Sequence, residues 1–116
     1  MAKVFFTGRD LLPCEVVIGL PVQNAKHFPL SLIESEGIVH FCDSVMEWCQ
    51  QFTSVEIIVS LSVLDKAFNS DGMVGGLSTR ELLYLLGRLK MMRNYHSAVV
   101  LGPASPLAEK LLLESK

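Results

Sequence analysis

The segment from Val55 to Leu64 constrains the fold more than any other stretch of this chain. It is apolar at odd and even positions alike: Val55, Ile57, Ile58, Val59, Leu61, Val63 and Leu64. As a strand it needs cover on both faces, which is the pattern of a central parallel strand with helices on either side. Glu56, Ser60 and Ser62 interrupt it, so it is far too short to span a bilayer, and no membrane insertion is expected. A chain of 116 residues, half of them hydrophobic, reads as one domain. It buries roughly two-thirds of its unfolded surface without help from disulfides or a structural metal. Ten Lys and Arg against twelve Asp and Glu leave no basic excess, which argues against nucleic acid and anionic membranes as partners. The start, Met1 to Phe6, has neither a long apolar core nor a small-residue cleavage site before Arg9-Asp10, so no secretory leader is expected. Cys14, Cys42 and Cys49 are odd in number and irregularly spaced, which fits reduced, mostly buried thiols. The compartment expected is intracellular, with the cytoplasm ahead of the mitochondrion.

The remaining elements alternate around that strand. Val4 to Phe6 predicts a strand that stops at Thr7-Gly8-Arg9-Asp10. Glu15 to Leu20 suits either a strand or a turn of buried helix, and Pro21 ends it. Leu30 to Glu36 predicts a short helix closed by Gly37, and Ile38 to Phe41 a strand. Asp43 is placed to N-cap a helix from Ser44 to Phe52, with Val45, Trp48, Cys49 and Phe52 on its buried face. Asp65 to Leu77 reads as a loop. Ser78-Thr79-Arg80-Glu81 is a capping box opening a leucine-rich helix that ends near Arg93-Asn94. Ser97 to Leu101 predicts the last strand, Gly102-Pro103 a turn, and Ser105-Pro106 the start of a final helix. Alternation at this spacing gives an α/β fold with a mainly parallel sheet of about four strands and flanking helices.

Two collinear segments resemble a known family. The run Val59-Ser60-Leu61-Ser62-Val63-Leu64-Asp65-Lys66-Ala67-Phe68, followed by Gly75-Gly76-Leu77-Ser78-Thr79-Arg80-Glu81-Leu82, is similar to the ureohydrolases, the arginases and agmatinases. That family carries Ser-x-Asp-x-Asp-x-Leu-Asp-Pro-Ala-Phe, a proline-rich loop, and Gly-Gly-Leu-Thr-x-Arg-Glu before a helix. Upstream, Gly8-Arg9-Asp10-Leu11-Leu12-Pro13-Cys14-Glu15 resembles its Gly-x-Arg-Asp-x-Asp-Pro-x-Glu loop. The resemblance covers nearly the whole chain but only about the C-terminal half of a family member. It implies that residues 1–116 form a single truncated domain, half of an arginase-like three-layer fold.

The departures bear on chemistry. Family enzymes hydrolyse a guanidinium group with water held between two manganese ions, a job that needs anionic ligands. Where the family has two aspartates one residue apart, this sequence has Ser60 and Ser62. As strand residues they share a face, but neutral hydroxyls do not offset divalent cations. Lys66 replaces the first proline of the loop, and the acidic residue of the closing turn is absent from Val99 to Pro106. His27, His40 and His96 fall in no matching context. Hence no catalytic residue, metal ligand or cofactor is assigned.

Other candidates read more simply as structure. Ser60 and Ser62 have no base placed by sequence to activate them, and serines in buried strands bond to nearby backbone. Asp65 lies just past the central strand, where α/β folds place ligands, but it equally suits a turn. His40, Cys42 and Cys49 match no usual zinc spacing. Gly72, Gly75 and Gly76 lack the Lys-Ser/Thr of a phosphate loop and read as turn residues. Arg9-Asp10 reads as a loop brace, and Met91-Met92 as core filling. The expected role is a non-catalytic structural or interaction subunit, with a second copy, a full-length relative or a larger complex as partner. The alternative is a small α/β hydrolase or ligand-binding domain reusing strand ends with Asp65, Cys14 or His96.

Overall fold

A computed structural model of the protein describes residues 1–8, 11–63 and 77–101. Strands β1 (Ala2–Thr7), β2 (Val16–Gly19), β3 (Lys26–Phe28), β4 (Val55–Ser60) and β5 (Tyr95–Leu101) form one sheet in the order β3-β2-β1-β4-β5. Every pairing is parallel. Helices α1 (Ser31–Glu36) and α2 (Ile38–Cys49) connect β3 to β4, and α3 (Thr79–Leu89) precedes β5. The α/β architecture is the one expected, with five strands in place of about four. The added strand, β3, has no apolar alternation, and its pairing with β2 over Lys26, His27 and Phe28 is what makes it extended.

Strand alternation sorts the core into two layers. Val4, Phe6, Val16, Ile18, Ile57 and Val59 face one way and meet Phe41, Cys42, Val45 and Cys49 of α2 and Leu82, Leu85, Leu86 and Leu89 of α3. Phe5, Val17 and Ile58 face the other way, against Cys14, Val22 and Ala25 of the connecting segments. The described helices all pack on the first face, and the described cover of the second comes from connecting segments. Phe5 and Val17 are nevertheless fully buried. The interior position of β4, between β1 and β5, accounts for its apolar residues of both parities. The strand is shorter than expected, because Leu61–Val63 turns into a 3-10 helix.

The segment after Gly37 differs most from expectation. Ile38 to Phe41 is the first turn of α2, not a strand, and Asp43 lies inside the helix rather than capping it. Gly37, at φ 88°, separates α1 from α2, and its carbonyl accepts from the Phe41 N–H at 3.0 Å. The β-branched pair Ile38-Val39 suggested a strand, yet Ile38, Phe41, Cys42, Val45 and Cys49 already follow helical spacing. Packing against the sheet decides in favour of that period. Asp43 instead accepts from Arg88 of α3 at 2.7 Å and ties the two helices together. Trp48 is 41% exposed rather than core-facing, with the Lys26 Nζ 4.9 Å from its ring, and Phe52 lies beyond the helix end. Asn94 donates to the carbonyls of Cys49 and Phe52, which closes the end of α2 against the start of β5.

Around α3 the sequence reading holds. The Ser78 hydroxyl accepts from the Glu81 N–H at 3.1 Å while the Glu81 carboxylate accepts from the Ser78 N–H at 3.0 Å. The helix ends at Leu89, earlier than Arg93-Asn94. Met92 packs on the core but Met91 is 78% exposed. The turn at Gly102-Pro103, the helix expected from Ser105-Pro106 and the loop from Asp65 to Gly76 lie outside the described residues. Among the described residues, no helix is long and apolar enough to cross a membrane.

Two measurements follow from this packing. Ser78→Ala removes the cap acceptor and is expected to lower unfolding stability by about 1 kcal/mol in urea titration; an unchanged midpoint would show the cap contributes nothing. Burial pushes the Cys49 thiol from its ordinary 9.0 up to about 11. The folded state keeps this proton where the unfolded chain loses it, so stability is intact below pH 9 and declines as pH rises to about 11. Cys49→Ala is expected to start less stable, because it leaves a cavity, but to lose on the order of 2 kcal/mol less across that window. Parallel alkaline profiles for the two proteins would refute this.

Candidate functional site

The connections fix where the sheet opens. Those leaving β1 and β2 pass over the second face, while α1, α2 and α3 pass over the first. Strand order therefore reverses between β1 and β4. In open parallel sheets, ligands bind at the carboxyl ends of the strands flanking such a reversal. Here those ends carry Thr7, Gly8 and Ser60.

Thr7 and Ser60 are the buried polar residues among those described, at 0% and 4% exposure. Thr7 pairs with Gly19, and Phe6 with Val59, so Thr7 and Ser60 are next in register across the rim. No buried side-chain nitrogen or oxygen among the described residues is without a hydrogen-bond partner. Gly19 adopts φ +110°, and any Cβ there would run into the Thr7 carbonyl oxygen. That same oxygen accepts from the Leu20 N–H at 2.9 Å, so β2 leaves the sheet in close contact with β1.

Beside this rim lies a cavity of about 530 Å³ whose lining includes Gly19, His27, Leu30, Glu34, Leu77 and Glu81. His27 Nε2 is 2.6 Å from the Gly19 carbonyl oxygen. A carbonyl only accepts, so Nε2 carries the proton and a neutral ring keeps its acceptor at Nδ1. Sequence reasoning assigned nothing to Thr7, Gly19 or His27. The only available signal was that Thr7 ends the first apolar run, since pairing across strands, not spacing, brings the three together.

The donors that the described residues bring to the rim are the hydroxyls of Thr7 and Ser60, and the cavity beside it adds the His27 imidazole, bonded through Nε2, and the carboxylates of Glu34 and Glu81. Among the described residues, no group of three or more His, Cys, Asp or Glu stands together as metal ligands would. Manganese in a paired site takes carboxylate oxygens, and Thr7 and Ser60 offer none. Ser62 falls in the 3-10 turn, two residues past the end of β4. Arg9-Asp10, Asp65, Gly72, Gly75 and Gly76 lie outside the described residues.

The other candidates are dispersed. Cys14 precedes β2 and His96 lies near the start of β5, both at the opposite end of the sheet from Thr7 and Ser60. Burial, and then the Glu15 charge, push the Cys14 thiol up. His96 Nδ1 lies 3.2 Å from the Ser97 hydroxyl. Cys42 and Cys49 are buried on the core side of α2, with Cys42 Sγ 3.8 Å from Met46 Sδ. His40 is exposed beside Glu36 at 3.8 Å. The trio makes no common site.

No protein-family model and no curated protein matches the sequence. Solved structures do match the fold. Formimidoylglutamase from Bacillus subtilis superposes with TM-score 0.69 at 14% identity, over 98% of this chain and 49% of that one. Arginase from Bacillus subtilis gives 0.68 at 19% identity, over 86% and 42%. Arginase from Entamoeba histolytica, solved with L-ornithine, gives 0.66 at 14% identity, over 86% and 40%. The chain thus spans less than half the length of the structures it resembles. At these identities the likeness is one of fold, and the fold of this chain is half of an arginase-like α/β domain.

Proposed function

We propose that the chain is a catalytically inert, ureohydrolase-like subunit that serves a structural or interaction role in a larger protein assembly. The observation that carries this reading is Ser60: it stands buried at the carboxyl end of β4, where the sequence resemblance aligns the family's first metal-binding aspartate. A hydroxyl there gives no charge to hold paired cations, and without them water is not acidified for attack on a guanidinium carbon. The neighbouring Thr7 is neutral too. The exposed apolar residues Leu11, Val39, Met91, Val99 and Leu101 support an associating role. A second reading, a small ligand-binding domain, is favoured by the cavity beside His27.

The test is metal dependence. Purified protein given excess manganese is expected to melt within about 1 °C of the metal-free sample, since a ligand that does not bind the native state does not stabilise it. Hydrolysis of arginine and agmatine is expected to stay at the uncatalysed rate. Stoichiometric manganese, or turnover of either compound, would overturn the proposal.

A further inference from the structure

The two edges of the sheet differ. β3 is three residues long and begins with Lys26, whose Nζ lies over the rings of Phe28 and Trp48. Short length and a lysine are the usual means of keeping an edge from pairing. β5, at the other edge, has seven residues and among the described residues pairs only with β4. From Ser97 to Leu101 it carries no charge and no proline, and its one irregularity lies before that stretch, opposite Val55 and Glu56. Val99 and Leu101 are 40% and 37% exposed.

We propose that this edge pairs with the same edge of a second copy, antiparallel, about a two-fold axis at Val99, so that two five-stranded sheets become one. The inference deepens the subunit reading above and rests on it, naming the surface and the partner. An isologous contact must be its own complement, and edge strands related by a two-fold axis run antiparallel. With the axis at Val99, that residue meets the partner's Val99, Ala98 meets the partner's Val100, and Ser97 meets the partner's Leu101. Register with β4 puts Ala98 and Val100 on the face of Ile57 and Val59, and Ser97, Val99 and Leu101 on the other. Every cross-strand pair therefore keeps to one face. No charge opposes a like charge, and a β-branched pair sits on the axis. Moving the axis to Ala98 would draw His96 and the irregular step into the ladder.

Light scattering on the full chain over a concentration series is expected to give twice the 12.8 kDa monomer mass. Val99→Lys is expected to return the monomer while keeping the far-ultraviolet circular dichroism spectrum of the folded chain, since Val99 is partly exposed. Under mild oxidation, Val99→Cys is expected to yield a cross-linked dimer on a non-reducing gel, because directly opposed Cα atoms are about 4.5–5.5 Å apart. Ser97→Cys, with the same native thiols, is not. A wild-type monomer at every concentration, a species larger than a dimer, or equal cross-linking of the two cysteine variants would overturn the proposal. Manganese-dependent hydrolysis would sink the inert reading and leave the dimer mass unaltered, so the two failures are distinguishable.

Discussion

A parallel sheet tolerates no wet face, and this chain covers both faces of its sheet. It does so asymmetrically. The leucines of α3 and the Phe41, Cys42, Val45 and Cys49 stripe of α2 cover one face, while the other receives Cys14, Val22 and Ala25 from connections without helices among the described residues. Short connections of that kind need β1 and β2 to lie very close, and Gly19 permits this. Its positive φ and missing Cβ let the chain turn away directly beneath the Thr7 carbonyl. The hydrogen bond from Leu20 then fixes the turn.

Legibility of the fold tracked how local each cause is. The capping box at Ser78 and Glu81 was readable because both partners lie within four residues and their chemistry is unambiguous. β1 and β4 were readable because their apolar runs exceed what a loop would carry. β3 was not, since a Lys-His-Phe segment becomes a strand only through its neighbour. Ile38 to Phe41 misled for the opposite reason: β-branched residues gave a strong local signal that packing on the sheet overrode. Asp43 showed a cap signal that a more distant partner, Arg88, claimed instead.

The candidate site was legible only in one member. Ser60 could be singled out from its place in the motif, whereas Thr7, Gly19 and His27 become neighbours only once the sheet is assembled. The reading of Ser60 and Ser62 as residues of one strand meets a definite boundary, the change from strand to 3-10 turn after Ser60. Period-two reasoning holds as long as the strand does, and the apolar run continued past the strand's end. Hydropathy does not mark that boundary.

Hydroxyls at the rim also change what the fold requires. Carboxylates crowded at the ends of adjacent strands repel one another and are costly to bury, so a site built from them depends on bound cations for its electrostatic balance. Thr7 and Ser60 are themselves neutral, and buried hydroxyls need only hydrogen-bond partners. Among the described residues, the rim is shaped by the close approach of Gly19 to the Thr7 carbonyl and by the hydrogen bond from Leu20. The structural demand left on the chain moves to its edge, where β5 carries an uncharged, uncovered ladder among the described residues.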